Sequence, residues 1–507
     1  MREKDILRGV WPTYLFCHSS FTKEINMLLT YQFELKTNET ISIILGHLSY
    51  AASKLFNVGN YERKEFKSLG FDKMPDWYDQ KKRLKDNIWY KSLPSQTSQD
   101  VLDRLEESWK SYFTLHQKWE HKKRCGSLKE YEGEPQSPYY KKDGYHMNIK
   151  YLSNGFKVID NKIRFSIPKS LKTHLKEKYQ INDVFFYIKM KKTFKKIKQI
   201  EFSYMNKNKY KVYIIYEEEI TKLKDDNKHY ISIDIGITNL LTVYDNKGSS
   251  FIVSGCSILN TNYYFLKQIA YYQSKYDKCY PNHKKGETTK RIKRLYEQKN
   301  KRTNLIIHRV TKLIVDYCLK NDISKVIIGE LSGLLDQKRE FNSNKEKHRF
   351  NQNIRTINYP KIYELLSYKL LKEGIELIKE EETYSSQCPP DSPSVDKEYG
   401  NKKARKKRGL YKTKGKIYNA DSLGAFNIMR LYRQNNNLDF DTPIKGLSNP
   451  KRKYIPVTDQ FFNEDFQNWN GKAGNVGISG RNYPTGYELI ELINQSITQM
   501  LGNSIAE

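Results

Sequence analysis

Three apolar runs with strand character each stop at an acid, and helical periodicity fills the segments between them. YISIDIG ends near Asp234, KVIIGEL carries Glu330, and YNADSLGAFNI carries Asp421. A chain that alternates strand, helix and strand builds an α/β sheet, and open sheets of that kind place their sites at the carboxyl ends of strands. Three distant segments then deliver negative charge to one point. Carboxylates are costly to cluster without cations. The expected partners are two Mg²⁺ ions, which take hard oxygen ligands and keep waters and substrate phosphate oxygens in their shell. Two such ions, about 4 Å apart, activate a water and stabilise the leaving oxygen when a phosphodiester is cut. Singly, each acid is ambiguous. A turn aspartate looks the same, and Asp421 also reads as the N-cap of a helix opening at Ser422.

Charge narrows the partner. Lys and Arg number 89 against 58 Asp and Glu, a net charge of +31 over 507 residues. Spread along the chain instead of gathered in a tail, this excess implies a polyanion. The 39 tyrosines add flat faces on which unpaired bases stack. AT-rich codon usage inflates Lys and Tyr as well, but it does not explain the basic excess. Six cysteines (Cys17, Cys125, Cys256, Cys279, Cys318 and Cys388) form no CxxC pair and read as free thiols in a reducing compartment. No apolar run approaches the roughly 20 residues that span a bilayer, and Pro12 interrupts the short apolar stretch near the start. The expectation is a cytoplasmic protein without membrane contact (nuclear in a eukaryotic host).

Along the chain, residues 31–37 alternate as a strand and residues 42–123 are helical, the clearest helix opening at Pro94-Ser95. Val101, Leu102, Leu105, Trp109, Tyr112 and Phe113 share its packing face. Hairpins are expected around Asp160-Asn161 and Asn206–Asn208, with the basic KMKKTFKKIKQ between them and a polar linker, TKLKDDNK, after them. The first acid-bearing strand ends near Ile235, and a hairpin turns at Asn246-Lys247-Gly248. Residues 262–320 are helical, with Leu305, Ile306, Val310, Leu313, Ile314 and Tyr317 as a core stripe. A further helix stops at Gly374, IELIKEEETYSS is a strand, and 389–417 reads as a loop. A last short helix spans Ser422 to Leu431.

At the motif level the chain resembles a known family. DIGITNLLTV (Asp234, Gly236, Asn239, Thr242) is similar to the first motif of the RuvC-type nuclease domain, VIIGELSG with Glu330 to the second, and NADSLGAFNI (Asp421, Gly424, Ala425, Asn427, Ile428) to the third. Asn304 and His308 on the long helix, Asn351-Gln352 and Tyr368-Lys369 fit the intervening signatures, and residues 93–113 resemble the upstream helical segment. Together these resemble the transposon-encoded TnpB proteins and the compact type V CRISPR effectors over about residues 30 to 432.

The resemblance implies a multidomain α+β protein: a RuvC-type (RNase H-like) α/β nuclease domain with an N-terminal β-barrel-like wedge domain and a helical recognition insertion. The implied map is an N-terminal extension (1–30), wedge (31–41 and 121–225), helical recognition domain (42–120), nuclease domain (226–388 and 416–440), degenerate zinc-ribbon region (389–415) and tail (441–507). It implies an RNA-guided DNA endonuclease, with guide RNA and double-stranded target DNA as partners. The protein reads a short motif beside the target, while base pairing reads the sequence. Asp234, Glu330 and Asp421 would hold the Mg²⁺ ions. A catalytically silent RNA-guided repressor and an unguided RNase H-fold transposase or resolvase stay open, as does monomer or homodimer.

One departure from the family is visible. Relatives carry a zinc ribbon of two Cys pairs; here ETYSSQCPPDSPSVDKEYG keeps the lead-in but only Cys388. A closed tetrahedral site needs four ligands, so no structural zinc is expected. The region then serves as a basic loop, with Lys402, Lys403, Arg405, Lys406, Lys407 and Arg408 against phosphate. His308, on an apolar helix face, is expected to pack and takes no catalytic role.

Overall fold

The computed structural model describes residues 26–129, 132–206, 208–219, 222–282, 287–330, 343–405 and 409–456. The extension before residue 26, Lys406, Lys407 and Arg408, and the tail from residue 457 onward lie outside them. The chain is a mixed α/β protein of two units, Met1–Ile220 and Thr221–Glu507.

In the first unit, β1 (Asn26–Lys36) precedes four helices, α1 (Glu39–Lys64), α2 (Trp77–Arg83), α3 (Ile88–Lys91) and α4 (Ser95–Arg124). Then follow β2 (Ile149–Leu152), β3 (Phe156–Ile159), β4 (Lys162–Ser166), α5 (Lys169–Tyr179), β5 (Phe185–Lys189), β6 (Lys196–Asn206) and β7 (Lys209–Glu219). Two antiparallel sheets result, β1-β7-β6-β2 and β3-β4-β5. Both expected hairpins turn through left-handed residues that tolerate positive φ, Asp160 at 49° and Asn208 at 62°. One apolar core runs from Leu45 and Leu48 of α1 through Leu102 of α4 to Phe165, Phe202 and Val212 of the sheets. On α4 the expected stripe is buried only as far as Trp109, because the helix runs on past the core and leaves Phe113 44% exposed.

The second unit is built on a six-stranded mixed sheet. Its elements are β8 (Tyr230–Ile235), β9 (Asn239–Asp245), β10 (Ser249–Ser254), α6 (Cys256–Cys279), α7 (Lys290–Lys320), β11 (Lys325–Gly329), α8 (Asn344–Thr356), α9 (Tyr359–Lys372) and β12 (Glu376–Glu380). The short hairpin β13 (Leu410–Thr413) and β14 (Lys416–Asn419) follows, then α10 (Ala420–Asn435) and β15 (Lys451–Lys453). The sheet order is β12-β11-β8-β9-β10-β15. β8 pairs antiparallel with β9 and parallel with β11, and β11 pairs parallel with β12. Segment 389–417, expected as loop, thus contains part of a hairpin. Residues 441–456 dock on the unit: β15 pairs with β10, and the Tyr244 hydroxyl donates to Pro443 O at 2.6 Å.

Strand alternation divides the sheet between two layers. Ile231, Ile233 and Ile235 of β8 and Val326 and Ile328 of β11 join Ile306, Val310 and Ile314 of α7 and Ile362 and Leu366 of α9 in one core. Tyr230 and Ile327 face the opposite way, into a second core with Leu423, Phe426 and Met429 of α10. Ser232 Oγ, on that same side, donates to Ala425 O at 2.6 Å. Asp234 therefore emerges on the α10 face.

The α7 stripe is shifted from the expected one. Ile306, Ile307, Val310, Ile314 and Cys318 are buried, while Leu305 is 40% exposed, because the buried face follows the sheet beneath it and Leu305 lies at its edge. Ile314→Ala is accordingly expected to cost about 3 kcal/mol, and Leu305→Ala no more than about 0.5 kcal/mol, read from chemical denaturation of the full chain.

Candidate functional site

Asn419, and not Asp421, caps α10. Its Oδ1 accepts from the Asp421 and Ser422 amides at 3.1 and 3.0 Å, so the N-cap reading of Asp421 is corrected. The helix starts at Ala420, earlier than expected, because the hairpin delivers a capping Asn just before it. With the cap supplied, the Asp421 carboxylate is released for other contacts. Its Oδ2 accepts from Asn239 Nδ2 at 2.6 Å, and its Oδ1 stands 3.5 Å from Arg405 Nη2.

One turn further along α10, Gly424 lies against Asp234. A Cβ there would stand 2.6 Å from Asp234 Oδ2, so only glycine lets the carboxylate lie against the helix. Burial raises the Asp234 pKa above the ordinary carboxylate range, the Asp421 charge raises it further, and Arg405 opposes both. The structure thus brings Asp234 and Asp421 together, from β8 and α10.

Glu330 does not join them. It follows the last residue of β11, its amide donates to Glu380 O at 2.8 Å, and its side chain is exposed. The next twelve residues, 331–342, lie outside the described ones. A different acid comes to Asp234. Glu382 is partly buried, and burial followed by the Asp234 charge raises its pKa. Sequence reading passed it over as one of three consecutive glutamates in the strand-like run IELIKEEETYSS. Among the described residues, no three His, Cys, Asp or Glu side chains are grouped as a metal cluster.

Of the basic loop, Lys403 is exposed and Arg405 reaches Asp421. The neighbouring segment around Cys388 is held by side chains of α10. Asn427 Nδ2 donates to Ser385 O at 2.7 Å and Cys388 O at 2.9 Å. Arg430 donates to Pro389 O at 3.2 Å and also to Ser392 O. The buried Cys388 thiol donates to Asp396 O at 3.2 Å.

His308 is half-buried on α7. Lys369 Nζ, on α9, donates to its carbonyl and to Thr311 Oγ1. Burial, then Lys369 and Lys361, lower its pKa from 6.5 to about 4. The unfolded chain therefore binds a proton that the folded chain refuses. The contribution of His308 to stability is expected to be full above about pH 6.5 and to fall as pH drops towards about 4. His308→Gln should flatten that acid limb in thermal melts taken across the window; an unchanged limb would assign it to other groups.

Residues 213–335 match OrfB_IS605, a family of probable transposases. The TnpB resemblance holds over those residues. The match contains the motifs of Asp234 and Glu330. Two cryo-EM structures are also similar to the chain: a Cas12f1–sgRNA–target DNA complex at 16% identity and TM-score 0.46, and a CRISPR–Cas12f ternary complex at 15% and 0.27. Each match covers 77% of this chain, and 83% and 82% of the respective relatives. No curated protein matches the chain. No helix among the described residues is long and apolar enough to cross a membrane.

Proposed function

We propose that the chain is an RNA-guided, Mg²⁺-dependent DNA endonuclease with one RuvC-type site, in which Asp234 and Asp421 hold the ions and Glu330, exposed just past the end of β11, turns in to complete the set when they bind. The observation that carries this reading is the approach of Asp234 and Asp421 across Gly424, from two motifs distant in sequence. The residues present fit a hard cation. The donors are oxygens, and two buried acceptors beside the acids, Asn239 Oδ1 and Glu382 Oε1, have no hydrogen-bond partner. Unsatisfied buried acceptors are costly, and a divalent ion would satisfy them. Bound there, the ions supply an activated water and stabilise the leaving oxygen.

The remaining roles fall to the chain itself. Asn239 fixes the rotamer of Asp421 through Nδ2. Arg405, with Lys402, Lys403, Lys406, Lys407 and Arg408, supplies donors suited to the phosphate backbone. The first unit, as wedge (31–41 and 121–225) and recognition helices (42–120), holds the guide RNA and its heteroduplex with target DNA beside a short adjacent motif. Its exposed Tyr61, Tyr78, Tyr139, Tyr140 and Tyr187 and the +31 charge support that role.

The matched family favours one second reading, an unguided transposase using the same acids. Sequencing the RNA that co-purifies with the protein, expressed with its flanking DNA, separates the two. A discrete RNA with a constant scaffold and a variable end, directing Mg²⁺-dependent cutting of a matched duplex, is the expected result. Bulk degraded RNA, with cutting that ignores any guide, would select the transposase.

A further inference from the structure

Strand parity brings to Asp234 an acid that the strand ends do not single out. On β12, Ile378 packs against the core beneath α10, and Glu380 accepts from Asn435 Nδ2 of α10 at 2.6 Å. Glu382 continues the same alternation. On the adjacent β11, Val326 and Ile328 face α7 and α9, and Glu330 falls on their parity; Gly329 shares the parity of Ile327, which faces α10. Gly329 and Glu380 are paired in register, so Glu382 comes to lie over Gly329. A Cβ at Gly329 would collide with the Glu382 carboxylate. Two of the site's acids are thus each seated against a glycine, Asp234 at Gly424 and Glu382 at Gly329. The Glu382 Oε1 that results is buried and unpartnered, although a carboxylate brought that close to another needs a cation or a donor.

We propose that Glu382 is a ligand of the divalent cation bound by Asp234, a role that rests on the metal site proposed above. Glutamine at 382 would keep the volume and remove the charge. The experiment is titration of the full, RNA-free chain with Mn²⁺ alone, followed by electron paramagnetic resonance, on wild type and on Glu382→Gln, Gly329→Ala and Asp234→Asn. Glu382→Gln is expected to weaken Mn²⁺ binding by about tenfold or more, at an unchanged melting temperature. Gly329→Ala leaves every acid in place but displaces the Glu382 carboxylate, so it should weaken binding in the same direction. It also keeps the proposal testable if the glutamine variant folds poorly. Should Asp234→Asn lose Mn²⁺ while Glu382→Gln and Gly329→Ala bind it as wild type does, Glu382 is a packing acid and the proposal fails alone. Should wild type bind no Mn²⁺, the metal site itself fails and takes this ligand with it.

Discussion

Asp234→Ala is expected to slow single-turnover cleavage of a guide-matched duplex by on the order of a thousandfold, because a bound metal contributes several kcal/mol to the transition state and each ~1.4 kcal/mol is a factor of ten. Guide and target binding should stay near wild type, since those contacts belong to the basic and aromatic surfaces. Thermal stability should hold or rise. Folding the ionised Asp234 means burying it beside Asp421, which raises its pKa, and alanine removes that cost. A loss of activity with a gain in stability is the usual signature of a site residue. Cutting by Asp234→Ala at the wild-type rate would mean that the acid is placed wrongly.

Gly424→Ala gives the second large effect, with a sign that helix propensity alone reverses. Inside a helix, Gly→Ala ordinarily stabilises by about 0.5–1 kcal/mol. Here the added Cβ would stand 2.6 Å from Asp234 Oδ2, and the carboxylate, as the free end of a side chain, is what yields. A displacement of that size at a reacting centre costs about a hundredfold in rate. The expected result is cleavage down by about that factor with a melting temperature within a few degrees of wild type. Single-turnover rates and a melt on the same preparation check it. Wild-type cleavage would show that the space at 424 serves packing and not the seat of Asp234.

Much of this was legible from residue order. The apolar runs gave β8, β9 and β11, the turn residues at 160 and 208 gave both hairpins, and Pro94-Ser95 gave the start of α4. Where the reading slipped, a longer-range contact had intervened. Phe113 and Leu305 fit a helical stripe but sit beyond the surface it packs on. Asp421 looked like a cap because nothing in the linear pattern says that β14 ends in Asn419 at the capping position. Glu382 was readable in principle: Ile378, Glu380 and Glu382 alternate on one face. Assigning that face to Asp234 required knowing that β12 pairs with β11, and β11 with β8.

By itself, then, the sequence determined the element types, the basic character and the acids available, because propensity, alternation and charge are local or additive. Which acids meet depends on how the strands pair. In a mixed sheet every second residue faces the opposite layer, so partners are chosen by strand order and register, and by the two glycines that leave room for a carboxylate. Those are properties of pairings between distant segments.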